Sequence, residues 1–254
     1  MQITQQKFWG ALRRPLHSVG LTAARRWPWP VSVEIKNGRR LYVDLRSGIG
    51  RGLFVKGEFD PAVFEPLYTA LKSGGTFVDI GANVGFYSML ALEVVGEAGV
   101  IHAFEIDHRP LRCLHKTLSR YRIENLFVHE FAVGRYNGTV GFCPAAESGN
   151  SCITENGGQR QVRMMTLDNW WRQSKVTNIQ AVKIDIEGAE LLALEGGKDM
   201  LCKMRPSIVC EADEKLESRF GYKRVDLVRF LAGLRYSICE LKSAWSPTIV
   251  ATPK

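Results

Sequence analysis

The chain has 254 residues, 45% of them apolar and 24% charged, and carries a formal net charge of +8. That length and composition suit a globular protein able to bury a core, organised as one large α/β domain with an extension or as two small domains. No run approaches the roughly 18 to 20 apolar residues a membrane span needs, and the first residues lack a continuous apolar stretch of signal-peptide type, so the expected location is cytoplasmic.

The positive charge is uneven. No acidic residue precedes Glu34, yet Lys7, Arg13, Arg14, Arg25 and Arg26 all lie there. Phe8, Trp9, Leu12 and Leu16 are spaced to form an apolar stripe on a short helix. A basic amphipathic piece of this kind offers a peripheral contact for an anionic membrane or an anionic substrate. Packing of that helix on the domain, with its arginines in solvent, is the competing reading. Basic and aromatic residues do not interleave again later in the chain, so nucleic acid is not the expected partner.

Pro28 and Pro30, flanked by Trp27 and Trp29, mark a break after the extension. Val31, Val33 and Ile35 alternate with polar residues, and the alternation resumes at Leu41, Val43 and Leu45. Asn37-Gly38 between the two runs predicts a hairpin, because both turn residues tolerate positive φ. The basic extension with its hairpin is assigned to residues 1–57, and the main domain to 58–254. Asp60-Pro61 predicts an N-cap followed by proline at the first helical position, with Val63, Phe64, Leu67, Tyr68 and Leu71 at helical spacing.

From Thr76 onward, strands at 76–80, 100–104, 126–130, 181–185 and 207–211 alternate with helices at 85–95, 109–119, 188–195 and 223–233. Short apolar strands separated by amphipathic helices imply a parallel sheet covered on both faces. Tyr236–Leu241 and Thr248–Ala251 are too close together for a helical crossover, so this last pair is expected to be antiparallel. A hairpin at 139–142 beside Gly149-Asn150-Ser151 reads as an insertion.

Cys113, Cys143, Cys152, Cys202, Cys210 and Cys239 contain no Cys-x-x-Cys pair, and reduced, mostly buried thiols are expected. His17, His102, His108, His115 and His129 form no metal-ligand pattern.

In an open α/β sheet the ligand binds where connections diverge at the strand ends. The first of these strands, Thr76 to Ile80, runs directly into Gly81-Ala82-Asn83-Val84-Gly85 and a helix. Gly81 suits a tight turn and Gly85 a close helix–strand contact. A dinucleotide site needs G-x-G-x-x-G/A, whose middle glycine lets backbone approach a pyrophosphate. Here that position is Asn83, and Phe86 stands where the third glycine or alanine belongs. Asp79 at the mouth would repel phosphate but suits a cationic amine. S-adenosylmethionine is a phosphate-free ligand of that kind. Glu105, ending the strand Val100–Phe104, is placed to accept hydrogen bonds from both ribose hydroxyls.

Asp79-Ile80-Gly81-Ala82-Asn83-Val84-Gly85-Phe86-Tyr87-Ser88, Ala103-Phe104-Glu105, Thr166-Leu167-Asp168, Val182-Lys183-Ile184-Asp185-Ile186-Glu187-Gly188-Ala189-Glu190, and Pro206 through Glu211 fall in the order of the FkbM-type methyltransferases. The chain resembles that family over roughly 58 to 212. The resemblance implies a class I methyltransferase (Rossmann-like) fold, with a seven-stranded, mostly parallel sheet and a C-terminal antiparallel hairpin. It also implies S-adenosylmethionine as methyl donor, and a hydroxyl acceptor on a sugar, glycan or polyketide. One departure is that Ile106-Asp107 intervenes before His108 where the family usually has proline.

Asp185 and Glu187 stand two apart at a strand end, so both can face the cleft. Asp185 is assigned as the base that takes the proton from the acceptor hydroxyl, with Glu187 beside it. Glu187 and Glu190 also lie where acids complement a helix N-terminus. Paired carboxylates suit Mg²⁺, but no third ligand is evident and no metal is assigned. Lys183 can pair with one of these acids. Ala132 follows the third strand, where the adenine ring is expected, while His129 is assigned a structural role. Ser148, Asn150, Ser151, Trp170 and Trp171 are candidates for acceptor contact, in a pocket built from residues 139–160, the 212–222 loop and the extension. Two rivals stay open: a nucleotide-cofactor oxidoreductase of NAD type, and a non-catalytic binding module on the same fold.

Overall fold

The computed structural model describes residues 27–145, 150–155 and 157–254. The predicted N-terminal amphipathic helix and Ser148 lie outside those residues.

Val31–Glu34 (β1) and Arg40–Val43 (β2) pair antiparallel around Asn37-Gly38, with Val33 opposite Leu41. Gly48–Lys56 forms a helix (α1) that its three glycines hide from propensity-based reading. Pro61–Leu71 (α2) starts where Asp-Pro predicts. Asp60, however, is not the expected side-chain cap. Its φ is +33° and its carboxylate makes no capping hydrogen bond. It reaches across the fold instead, accepting from Ser243 Oγ at 2.5 Å and Ala244 N at 3.2 Å.

The main sheet then builds in sequence. Thr76–Ile80 (β3) leads to Phe86–Val95 (α3), Val100–Phe104 (β4) to His108–Tyr121 (α4), and Leu126–His129 (β5) to the insertion. The insertion comprises Ala132–Val133 (β6), Gly138–Cys143 (β7), Cys152–Thr154 (β8) and Arg160–Met165 (β9), in the order β6-β9-β7-β8. It is a four-stranded sheet rather than the single hairpin expected. Distant β9 supplies pairing that local alternation cannot reveal.

Leu167–Ser174 (α5) returns the chain to Ile179–Ile184 (β10). Glu190–Glu195 (α6) and Lys198–Met204 (α7) precede Ser207–Glu211 (β11), and Glu214–Glu217 (α8) and Arg224–Gly233 (α9) precede the hairpin Tyr236–Leu241 (β12) and Thr248–Pro253 (β13). The seven-stranded order is β12-β13-β11-β10-β3-β4-β5. The inner strands are parallel, and β13 is antiparallel to both β11 and β12.

All of β3 is buried, which explains its apolar reading apart from Thr76 and Asp79. Side chains alternate between two cores. Phe77 packs with α2, α3 and α4, whereas Val78 and Ile80 pack with α5, α6, α7 and α9. Val33, Leu41 and Val43 of the hairpin belong to the first of these cores. The hairpin therefore shares packing with residues beyond 57. The chain leaves β3 toward β4 and β5, then returns to β10 on the other side. The cleft opens at this reversal.

Among the described cysteines only Cys113 and Cys210 are buried, so the expectation of mostly buried thiols is corrected. Cys143 and Cys152 face one another across β7 and β8, a proximity that sequence spacing conceals. Among the described residues, no helix is long and apolar enough to cross a membrane.

Candidate active site

A cavity of about 330 Å³ lies over the ends of β3, β4, β10 and β11. One half is walled by Gly81, Ala82, Asn83, Glu105, Ile106 and Ala132. The other holds Lys183, Asp185, Glu187, Glu211, Trp245 and Ser246. Six of the eight predicted site residues thus converge here, while Asp79 and Gly85 lie outside the lining.

The loop after β3 is shaped by close approach. Gly81 has φ +78°, and a Cβ there would lie 1.8 Å from the Asp185 carbonyl oxygen. Asp185 N donates to Ile80 O at 3.0 Å, locking the two strand ends together. Glycine is needed to bring these protein backbones together, rather than to admit a phosphate. Gly85 serves packing, since its Cβ would meet Leu114 Cδ1 at 2.6 Å. Asn83 takes φ +52°, a region asparagine tolerates, and its Oδ1 accepts from Val84 N.

Glu105 holds this loop from the other side. Its Oε2 accepts from Asn83 N at 2.9 Å, and its Oε1 accepts from Ile106 N and Asp107 N, each at 2.7 Å. A carboxylate offers about four lone-pair sites, so this arrangement leaves room for one further hydroxyl rather than the two expected. Burial raises its pKa to about 7, although the three backbone donors pull it down.

Asp79 is fully buried beneath the mouth rather than at it. Its Oδ2 accepts from Ser88 Oγ at 2.6 Å, and its Oδ1 lies 3.7 Å from Lys183 Nζ. The sheet register places Lys183 directly opposite Asp79, and alternation puts Asp185 on the same face. Lys183 Nζ accordingly lies 3.2 Å from Asp185 Oδ2. Burial lowers the Lys183 pKa, but Asp185 and Asp79 outweigh it, and the net shift is upward. Burial raises Asp79 despite the lysine.

The lining holds four acids, Glu105, Asp185, Glu187 and Glu211, against one lysine that is already paired. Glu187 has φ +60°, and burial raises its pKa to about 7. Glu211 lies deeper, and burial with nearby Asp185 raises it to about 9. Glu190 does not line the cavity. Its Oε1 accepts from Ile186 N and Gly188 N, so it fixes the turn that presents Glu187.

These shifts set a pH dependence. Burial also raises Glu190 and Glu217 to about 7, and both Glu217 oxygens lack hydrogen-bond partners. A raised carboxyl pKa stabilises the fold below the unfolded value and loses that contribution as pH rises through the folded value. His102 and His129 act oppositely, since burial lowers both to about 4, but their contribution is complete above the ordinary histidine value of 6.5. Between pH 6.5 and 8.5 the glutamates dominate. Thermal unfolding followed across that window is expected to show Tm falling by roughly 5 °C or more. A flat or rising Tm would contradict the buried-acid arrangement.

Other expectations need revision. Trp170 is buried against Phe104, His102 and His129, and Trp171 donates to Val176 O, so neither reaches the cavity. His129 lies 3.0 Å from His102 within that stack and has a packing role. Asn150 and Ser151 do line the cavity. Ser151 is already committed, donating to Asp107 Oδ2 and accepting from Ala145 N. The 212–222 loop is absent from the lining, and the turn bearing Trp245 and Ser246 takes its place, with Gly48, Ile49 and Phe59. A tryptophan, Trp245, in the short connection expected between the last two strands was the available sequence signal. Among the described residues, no group of three or more His, Cys, Asp or Glu side chains is arranged to hold a metal.

A seven-stranded sheet in this order, with a cavity at its reversal point, is the Rossmann-like fold of the class I methyltransferases. The methyltransferase FkbM domain model matches residues 79–238, and the chain belongs to that family. Among solved structures, methyltransferase FkbM from Methylobacillus flagellatus KT is 20% identical, with a TM-score of 0.48, over 70% of this chain and 43% of that one. This chain therefore spans less than half of that relative's length. An O-methyltransferase from Bacillus cereus in complex with SAH is 13% identical, with a TM-score of 0.48, over 78% of this chain and 83% of that one. An rRNA methylase from Streptococcus thermophilus is 14% identical, with a TM-score of 0.44, over 75% of this chain and 93% of that one. No curated protein sequence matches the chain.

Proposed function

We propose that the chain transfers a methyl group from S-adenosylmethionine to a hydroxyl on a sugar, glycan or polyketide-type acceptor, with Asp185 as general base. The observation that carries this reading is the make-up of the cavity wall: four acidic side chains line it, and its one lysine is already ion-paired, so no free cation faces the ligand. Such a wall disfavours a pyrophosphate and favours a cationic, phosphate-free ligand. Asn83 in place of the middle glycine agrees with this, and an NAD-type cofactor is disfavoured on both counts.

In this reading, Gly81, Asn83, Glu105 and Ala132 hold the adenosyl portion, with Glu105 accepting one ribose hydroxyl. When bound, S-adenosylmethionine supplies an electrophilic methyl carbon on a sulfonium sulfur. The acceptor oxygen forms the new bond to that carbon, and the carbon–sulfur bond breaks with its electron pair left on sulfur. The hydroxyl proton passes to Asp185, whose side chain is 43% exposed and lines the cavity. Lys183, 3.2 Å from its carboxylate, holds Asp185 in place. Glu187 stands beside it as the second carboxylate. The remaining work is alignment of oxygen, carbon and sulfur.

Calorimetric titration with S-adenosylmethionine and with NADH tests the donor. Binding of NADH alone would eliminate this reading, and binding of neither would favour a non-catalytic module. Glu105→Ala is expected to weaken donor binding by at least about tenfold, through lost hydroxyl contact and an unbraced loop. Asp185→Asn is expected to leave donor binding within about threefold and lower kcat by roughly 100-fold or more. Normal turnover in Asp185→Asn would remove it as the base.

A further inference from the structure

The geometry points to an acceptor subsite at the cavity mouth, where Trp245 provides the stacking face for a neutral, hydroxylated ring of the sugar class. This rests on the methyl-transfer reading above and specifies the substrate side of it.

Trp245 is 62% exposed, although a side chain of that size is normally covered. It is nevertheless held in place. Its ring stacks on Phe59, with centroids 4.9 Å apart and planes 26° from parallel. Both rings line the cavity. Phe59 precedes α2 and Trp245 lies in the β12–β13 turn, so two distant segments must be joined to build the pair.

Asp60 joins them. It is 4% exposed, adopts φ +33°, and accepts from both Ser243 Oγ and Ala244 N. A non-glycine residue in this region is strained and persists only where surrounding contacts enforce it. The bonds from Ser243 and Ala244 are those contacts. Asp60 is thus a positioning residue, fixing the turn that carries Trp245.

The chemistry of the mouth then selects the ligand. A rigid indole face takes the C–H face of a saturated ring at little entropic cost. Below it, Asp185 and Glu211 offer oxygen acceptors, and one Glu211 oxygen is buried without a hydrogen-bond partner. Ring hydroxyls can donate to these groups. The one lysine of the lining is already paired with Asp185, so no free cation meets a phosphate there and a sugar phosphate is disfavoured.

The test begins with donor binding by calorimetry. It continues with transfer of labelled methyl to three acceptor sets: neutral methyl glycosides, the corresponding sugar phosphates, and aliphatic alcohols without ring hydroxyls. Methyl glycosides are expected to be methylated in preference to both other sets. Trp245→Ala is expected to raise KM for the glycoside by roughly tenfold or more while changing kcat by less than about threefold. Trp245→Phe should recover most of the loss. Donor affinity should be unchanged in both variants. Ser243→Ala, which removes one restraint on the turn, should raise KM in the same direction but by less. An unchanged KM in Trp245→Ala, or a preference for sugar phosphates or simple alcohols, would overturn the subsite with donor binding intact. Failure of the wild type to bind S-adenosylmethionine would remove the methyl-transfer reading and the subsite with it.

Discussion

Replacing Lys183 with methionine is expected to destabilise the protein by about 3 to 5 kcal/mol, measurable as a shift in the denaturant midpoint. Lys183 is 3% exposed and stands between fully buried Asp79 and cavity-facing Asp185. Removing the cation leaves Asp79 with only the Ser88 hydroxyl as a partner, in a site where burial already raises its pKa. The loss should be smaller at acid pH, because Asp79 can then take up a proton. A carboxyl whose folded pKa is raised contributes stability at low pH and loses it as pH rises. The double variant Asp79→Asn/Lys183→Met removes the buried charge together with its partner and should recover much of the stability. A double-mutant cycle distinguishes this coupling from simple loss of packing. If the double variant were as unstable as the sum of the single ones, Lys183 would not be neutralising Asp79.

The main sheet was legible because its signal is local. In β3, β4 and β11 the observed ends coincide with those of the apolar runs, because buried parallel strands bounded by helices leave no ambiguity of period. The Asn37-Gly38 hairpin followed from two residues that tolerate positive φ. Residues 138–165 resisted reading because β7 is flanked by β8 and β9, and pairing between distant segments leaves no mark in either. Helix α1 was hidden because glycines occupy it for packing. A Cβ on Gly50 would lie 2.0 Å from the Asp44 carbonyl oxygen.

The cavity shows the same division. Glu105, Asp185 and Glu187 were legible as acids at strand ends, and all three line it. Asp79 stands in the same sequence context and on the same face as Asp185, yet it lies fully buried beneath the cavity, with Lys183 between it and Asp185. Spacing locates a strand end without saying how deep beneath the cleft each acid lies. Trp245 and Asp60 were missed for a related reason. Their connection spans residues far apart in the chain, and its only local trace is an Asp-Pro pair that a helix start explains equally well.

Gly81→Ala is expected to abolish donor binding and to lower stability by about 3 kcal/mol or more. Two costs add at this position. The residue has φ +78°, where alanine is strained, and its new Cβ would lie 1.8 Å from the Asp185 carbonyl oxygen and 3.1 Å from Ile186 Cγ2. The obstructing atom is backbone at the end of β10, so no side-chain rotation relieves the contact. Relief requires the β3 and β10 ends to separate, which breaks the bond from Asp185 N to Ile80 O. The same movement displaces Asn83 from Glu105 on one side and Asp185 from Lys183 on the other. One methyl group therefore perturbs both halves of the cavity, without changing any polar group that faces it. Gly221→Ala supplies the matched comparison. Gly221 also has positive φ, at +76°, with ψ 16° in the left-handed helical region, but its Cβ would meet nothing within 4 Å. It should show backbone strain alone, a loss of about 1 kcal/mol with donor binding retained. If Gly81→Ala behaved like Gly221→Ala, the close approach of β3 and β10 would not be what requires glycine in this loop.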